Sequence, residues 1–105
     1  MPFLDTRQIA VNEKLPGWRG RIFRSASMTF ANWDFDKGAA IHAHAHEQEE
    51  VWQVLEGRLQ VTIDGDVQVA GPGMAAIVPA GATHSVIALS NGRAMVADYP
   101  LRSDF

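Results

Sequence analysis

Three of the chain's four histidines alternate within one short segment, at His42, His44 and His46. A carboxylate, Glu50, follows in the same segment. In a β-strand, side chains two positions apart point to the same face, so alternating histidines present their imidazoles in one row. Glu50 keeps the parity of that row if the strand continues. Because converging nitrogen and carboxylate ligands bind divalent metals, the segment predicts metal-site chemistry.

The fourth histidine, His84, lies far along the chain, so the fold must bring it to the others. Short segments with alternating or apolar character, separated by turn signals, predict an antiparallel all-β sandwich or barrel. In a barrel, alternate residues face inward, and this is how His84 from one strand can meet histidines from another. Strands are predicted at 21–35 (one or two), 50–56, 58–63, 67–69, 74–78, 84–89 and 93–99, with hairpin turns at Asp64-Gly65 and Asn91-Gly92.

Composition narrows the class of protein. The 105 residues suit a single domain, 1–105, and the absence of cysteine excludes disulfides and thiolate metal sites. A net charge of −3 with no basic cluster argues against nucleic acid, and no apolar run is long enough to span a membrane. The charged N-terminus lacks a signal-peptide core, so we expect a cytoplasmic protein. A domain this small favours a homodimer, with residues 1–18 as an edge strand or an arm on the partner.

Two longer patterns resemble the motifs of the cupin superfamily. The first cupin motif is matched, with every gap correct, by Gly38, His44, His46, Glu50 and Gly57. The second is matched by Gly73, Pro79, Gly81 and His84, with Ala88 where the motif has asparagine. The motifs lie at 38–57 and 73–88. The resemblance implies an antiparallel jelly-roll barrel of the double-stranded β-helix type.

The resemblance also implies that one metal ion is bound inside the barrel by His44, His46, Glu50 and His84. Three imidazoles and a carboxylate suit divalent Fe, Mn, Ni, Co or Zn. We expect an octahedral ion, because it keeps two positions open for substrate or water, whereas tetrahedral zinc would be closed. Loss of the asparagine at Ala88 removes a residue that is not normally a ligand.

A rival register uses His42, His44, Gln48 and His84. Some cupins, including isomerases of unsaturated uronates, have a similar HxHxHEQ string and a glutamine ligand. In this chain that register breaks the gap from Gly38 and leaves eight residues before Gly57.

Four further residues are candidates for roles around the metal ligands. His42 is the first candidate for a catalytic acid or base at the cavity mouth, or else a surface histidine. Trp52 shares the parity of Glu50 and is the best candidate to line a cavity, while Arg24 and Asp98 are polar residues within apolar strands. The sequence supports two functions: a metal-dependent isomerase, cyclase or dioxygenase acting on a small organic molecule, or a non-catalytic module that binds a sugar or another metabolite.

Overall fold

The computed structural model describes residues 2–104, which contain ten β-strands, one 3-10 turn and no α-helix. The strands are β1 (Asn12–Leu15), β2 (Trp18–Arg24), β3 (Thr29–Phe35), β4 (Ala40–His44), β5 (Glu49–Glu56), β6 (Leu59–Ile63), β7 (Asp66–Ala70), β8 (Ala75–Val78), β9 (His84–Ala88) and β10 (Gly92–Tyr99). The all-β prediction is confirmed. Among these residues there is no helix with the length and hydropathy of a membrane span.

The strands form two antiparallel sheets. The larger sheet has six strands in the order β1-β2-β3-β10-β5-β8, and the smaller has four in the order β4-β9-β6-β7. Several neighbours are far apart in sequence, such as β3 with β10 and β4 with β9, so the chain crosses repeatedly between the sheets. This is the antiparallel jelly roll that the sequence predicts. Strand β1 forms one edge of the larger sheet, as expected for part of the N-terminal segment.

Only one of the two predicted hairpin turns is present. Asp64 and Gly65 have φ values of 47° and 83° and join β6 to β7, as a two-residue turn requires. The prediction for Asn91-Gly92 is wrong, because β9 belongs to the smaller sheet and β10 to the larger one. Neither Asn91 nor Gly92 has a positive φ, and the Asn91 side chain instead accepts a hydrogen bond from the Lys37 backbone N–H (2.8 Å).

The core lies between the two sheets, where inward side chains of both meet. Along β5, Glu50, Trp52 and Val54 are buried while their sequence neighbours are more exposed, and along β10 Val96 and Asp98 are buried in the same way. Burial of each large apolar side chain contributes roughly 1.5–3 kcal/mol, which fixes this orientation. The same alternation that buries the core therefore carries two carboxylates into the interior. The largest fully buried apolar side chains are Trp18, Phe35, Leu59, Val54, Val61, Val78, Val86 and Val96, and Trp52 is 3% exposed.

Candidate metal centre

His42 and His44 differ in their surroundings, although their spacing predicts that they share one face. Strand β4 pairs with β9 through Ile41↔Val86 and His44↔His84, so three steps along β4 match two along β9. This β-bulge breaks the alternation of side chains in β4. Ile41 and His44 consequently line an interior cavity, whereas His42 is exposed and lies outside its lining. The ring centroids of His42 and His44 still lie 5.9 Å apart, but His42 does not reach the cavity.

His46 lies beyond the end of β4, in the loop that leads to β5. The strand predicted to continue to Glu50 is interrupted here, and the Gly81 N–H fastens the loop by donating to the His46 carbonyl (2.8 Å). The imidazole centroid of His84 is 4.9 Å from that of His46 and 4.3 Å from that of His44. The three histidines thus meet because β4 and β9 are neighbours and the loop turns back over them.

The nitrogen atoms of His44, His46 and His84 converge as metal ligands do. One ring nitrogen from each lies within 4.8 Å of the others, so the group could hold a metal ion. Each Nδ1 lies at hydrogen-bonding distance from a backbone carbonyl oxygen two residues away: His44 to His42 (2.8 Å), His46 to Gln48 (3.1 Å) and His84 to Ala82 (3.0 Å). A carbonyl can only accept, so each Nδ1 carries the proton and Nε2 keeps its lone pair when the ring is neutral. Such bonds orient metal-binding imidazoles.

Glu50 is the carboxylate beside these histidines, and only 2% of its surface is exposed. Its Oε1 lies 3.4 Å from Nε2 of His46, and its Oε2 lies 3.2 Å from Nε2 of His84. The Trp52 indole N–H donates to Oε2 (2.7 Å) and fixes the carboxylate. Nε2 of His84 is buried without a well-aligned hydrogen bond among the described residues. Leaving such an atom without a partner costs about 1–3 kcal/mol. A divalent cation bound by this nitrogen and the neighbouring ligands would remove that cost.

Arg102 is a residue of the candidate site that the sequence did not reveal. It lies past β10, and its Nη1 donates to Oε1 of Glu50 (3.0 Å), lies 3.2 Å from Nε2 of His46 and 3.5 Å from Oδ2 of Asp98. Its backbone is held by Thr29, whose Oγ1 accepts from the Arg102 N–H (2.9 Å). The guanidinium therefore faces the carboxylates from the C-terminal segment. No spacing or motif marks it, because its position depends on the path of that segment.

Gln48, the ligand of the rival register, takes part in this anchoring. Its side-chain amide donates to the Leu101 carbonyl (3.1 Å), and the Gln48 side chain is buried. The Gln48 amide is thus turned toward the C-terminal segment, and His42 is exposed and is not a member of the group of three converging imidazoles. The geometry favours the register with His44, His46 and His84.

The titratable groups of the site influence one another. Burial lowers the pKa of His44 and of His46, which favours the neutral, metal-binding form. Burial acts in the same direction on His84, but the Glu50 carboxylate outweighs it and raises the pKa of His84. Burial alone would raise the pKa of Glu50. Hydrogen bonding to His84 and to Asp98 outweighs this effect, so the pKa of Glu50 is lowered. Burial and then the Glu50 carboxylate raise the pKa of Asp98, so this pair favours a single negative charge.

A cavity of about 260 Å³ opens onto these groups. We call the part of it lined by His44, Glu50, His84 and Arg102 the inner end, because Glu50 and His84 are buried. The predicted lining residue Trp52 is confirmed there. The remaining wall is largely apolar, and its lining comprises Leu15, Trp18, Ile22, Trp33, Ile41 and Val86, with Asn12, Lys14 and Asp104 as further polar members.

Comparison with protein families matches residues 31–99 to the cupin domain. Among solved structures, an RmlC-like cupin from Shewanella frigidimarina NCIMB 400 superposes with a TM-score of 0.92 at 26% identity, over 100% of this chain and 96% of that one. KdgF from Halomonas sp. superposes with a TM-score of 0.91 at 23% identity, over 99% and 97% of the two chains. At 23% identity, the likeness to KdgF shows only that the two proteins share a fold.

Among curated proteins, mannose-1-phosphate guanylyltransferase of Escherichia coli (strain K12) is 40% identical over 48 residues. The match covers 46% of this chain and 10% of that protein, so the chain spans about a tenth of its length. The likeness is therefore to one segment of a much longer protein.

Proposed function

Since the chain belongs to the cupin domain family, whose match spans residues 31–99, we propose that it is a metal-dependent enzyme acting on a small organic molecule. One observation carries the proposal: one ring nitrogen each of His44, His46 and His84 converge, and two of these histidines line a cavity of about 260 Å³ together with the buried carboxylate of Glu50. A molecule inside the cavity would thus reach the metal ligands directly. The proposed ligands of one divalent ion are His44, His46, Glu50 and His84.

The residues of the chain prepare the site for that chemistry. Backbone carbonyls orient the imidazoles through Nδ1, and the Trp52 indole orients Glu50, so the ligands are held before any ion binds. The apolar wall excludes water, and this strengthens every electrostatic interaction at the inner end. When bound, the metal would supply Lewis-acid polarisation of a carbonyl, enol or carboxylate oxygen. Isomerisation, cyclisation and oxygen insertion all fit, and a nitrogen-rich donor set suits divalent Fe, Mn, Ni, Co or Zn.

Candidates for proton transfer differ in their position. His42 is exposed and lies outside the cavity lining, which supports its alternative role as a surface histidine. Asp98 is fully buried beside Glu50, and its raised pKa favours a protonated carboxyl there. Asp98 likewise lies outside the cavity lining, so its proton could reach a bound molecule only through Glu50.

A second candidate function is supported by Arg102. Its guanidinium neutralises Glu50 and approaches Asp98, so the carboxylates already have a cationic partner within the chain. A site balanced in this way is compatible with a module that binds a metabolite without metal chemistry. Metal content separates the two functions, because a binding module has no requirement for a stoichiometric ion.

The deciding experiment is elemental analysis of protein purified without a metal-affinity tag. About one ion per chain, followed by turnover in a screen of small carbonyl and carboxylate compounds with and without oxygen, is the expected result. Protein that stays metal-free at a micromolar excess of each candidate ion would refute the proposal and favour the binding module.

We further propose that the protein acts as a homodimer in the cytoplasm. Support for the dimer comes from the N-terminal segment, where Phe3 and Leu4 are 83% and 59% exposed. Exposed apolar residues near an edge strand are a surface that a second copy would cover. Light scattering after gel filtration should give twice the chain mass, and removal of residues 1–11 should lower it to the monomer value.

A further inference from the structure

The Arg102 guanidinium lies between two of the proposed metal ligands. Its Nη1 donates to Oε1 of Glu50 (3.0 Å) and lies 3.2 Å from Nε2 of His46. Nδ1 of His46 faces the Gln48 carbonyl oxygen (3.1 Å), so Nε2 of the neutral ring carries the lone pair. Because a guanidinium has donors and no acceptor, Nη1 donates to that lone pair. Arg102 therefore engages the lone pair with which His46 would bind an ion, and one carboxylate oxygen of Glu50.

Asp98 completes a group of donors around the same nitrogen. One donor atom each of His46, Glu50 and Asp98 lie within 4.8 Å of one another, which is close enough to hold a cation. Nη1 lies within 3.5 Å of an atom of each, since its distance to Oδ2 of Asp98 is 3.5 Å. The side chains of His46, Glu50 and Asp98 are only 10%, 3% and 0% exposed. Arg102 thus places a cation inside a buried donor group that includes two of the proposed ligands.

A divalent ion and the guanidinium compete for these donors. A lone pair directed at Nη1 is not available to a metal, so Nε2 of His46 serves one cation at a time. An ion on Glu50 would also lie beside the guanidinium charge, where only 12% of the Arg102 side chain is exposed. Like charges repel strongly where water does not screen them. Binding of an ion by His46 and Glu50 therefore requires the guanidinium to withdraw.

The attachment of Arg102 lets its side chain move while its backbone stays in place. Thr29 Oγ1 accepts from the Arg102 N–H (2.9 Å), and the Arg24 guanidinium donates to the Arg102 carbonyl oxygen (3.1 Å). On the side chain, Nε donates to Oδ1 of Asp104 (2.6 Å), whose own side chain is 69% exposed. Arg102 and Asp104 both line the cavity of about 260 Å³, so the cavity offers the withdrawn guanidinium space beside an exposed partner.

We propose that Arg102 is a built-in competitor for the metal, which holds His46 and Glu50 until a divalent ion displaces its guanidinium. The inference rests on the proposed function for the identity of the four ligands. Only protein with the guanidinium withdrawn offers all four, so the apparent affinity for the ion is reduced in proportion to the rarity of that state. Removing the guanidinium strengthens metal binding, whereas removing a ligand weakens it.

The Zn²⁺ affinity of Arg102 variants tests this proposal. Titration against a chelating dye should give Arg102→Met a dissociation constant at least about tenfold below that of the parent, because the ion no longer displaces a buried, charged hydrogen-bond donor. Arg58→Met removes an exposed cation on the turn between β5 and β6, and as the matched control it should bind like the parent. Binding by Arg102→Met that is equal to or weaker than that of the parent overturns the proposal.

Arg102→Lys is the second variant and decides the question if circular dichroism shows that Arg102→Met does not fold. It keeps a cation but loses the planar fork that contacts several acceptors at once. We expect it to bind Zn²⁺ more tightly than the parent, by a smaller factor than Arg102→Met. Unchanged or weaker binding by the folded lysine variant overturns the proposal.

The parent protein gives a further test that needs no variant. A crystal structure of the Zn²⁺-loaded protein should place Nη1 of Arg102 beyond hydrogen-bonding distance of both Nε2 of His46 and Oε1 of Glu50. A loaded structure in which Nη1 still contacts both atoms overturns the proposal, because ion and guanidinium would then be bound together.

The possible results separate this inference from the proposed function. Zn²⁺ bound by neither the parent nor Arg102→Met refutes the metal centre on which both depend. Zn²⁺ bound equally by the two proteins refutes the competition alone and leaves the proposed enzyme standing. Zn²⁺ bound only by Arg102→Met retains the competition and refutes a metal-dependent enzyme for the parent chain.

Discussion

Glu50 and Asp98 lie directly opposite each other on β5 and β10, with 2% and 0% of their surfaces exposed. Two ionised carboxylates this close in the interior would repel, so the pair favours a single negative charge, and Arg102 approaches both carboxyl groups, at 3.0 Å and 3.5 Å. A divalent ion held by Glu50 would bring positive charge to the same place. Arg102, in the C-terminal segment, therefore supplies the positive charge beside Glu50 and Asp98 when no ion is bound.

The first prediction concerns this balance. We expect Arg102→Met to destabilise the metal-free protein by roughly 3–5 kcal/mol, because the substitution leaves the buried negative charge of the Glu50–Asp98 pair without its cation. The loss of unfolding free energy should be smaller in metal-loaded protein, because the ion there replaces the charge of the guanidinium. Urea unfolding with EDTA and with added metal measures both values.

Arg58→Met is the control for Arg102→Met, because Arg58 lies on the exposed turn between β5 and β6. A surface substitution there should stay within about 0.5 kcal/mol of the parent. If Arg102→Met changes the unfolding free energy no more than Arg58→Met does, the guanidinium does not stabilise the carboxylate pair.

The second prediction concerns the histidines. His46→Ala and His84→Ala should each reduce bound metal from about one ion per chain to less than about a tenth, because each removes a proposed ligand. His42→Ala is a matched control, since His42 is exposed and is not among the converging imidazoles, although its ring lies 5.9 Å from that of His44. Inductively coupled plasma mass spectrometry after dialysis gives the metal content. Equal metal in His84→Ala and His42→Ala would rule out His84 as a ligand.

The third prediction decides between the two registers of the first motif. Glu50→Ala should abolish metal binding, and Gln48→Ala should leave it nearly unchanged, because the Gln48 amide bonds to the Leu101 carbonyl. Gln48→Ala should still cost about 1 kcal/mol of unfolding free energy through the lost hydrogen bond. The opposite pattern, with metal lost in Gln48→Ala and kept in Glu50→Ala, would establish the rival register.

Much of this arrangement follows from the sequence because burial and alternation have a fixed period. Strict alternation in β6 and the turn at Asp64-Gly65 predict a hairpin, and the structure contains it. The two motif spacings likewise predict that His84 approaches His44 and His46, and their imidazoles do converge. In these segments local preference and tertiary packing favour the same conformation.

Other features depend on the tertiary structure and leave no local pattern. The bulge between Ile41 and His44 inserts a residue without any glycine or proline to mark it, so simple alternation misplaces His42. Asn91-Gly92 has the composition of a two-residue turn, but the strands on either side pair in different sheets. Arg102 reaches Glu50 only because Thr29 and Gln48 hold the backbone of the C-terminal segment.

The fourth prediction concerns the glycine that ends the first motif. Gly57 has a φ of 79°, and a Cβ there would collide with the Asn91 carbonyl oxygen in the crossing between the two sheets. Gly57→Ala should therefore lower the unfolding free energy through two effects. A left-handed backbone at alanine costs roughly 1–2 kcal/mol, and displacing the Asn91 backbone costs about 1–3 kcal/mol. Gly38→Ala is the control, because Gly38 has a φ of 87° but no atom within 4 Å of its added Cβ, so only the first cost applies. Urea unfolding of the two variants should show Gly57→Ala to be the less stable, and equal stabilities would mean that the crossing yields to the methyl group.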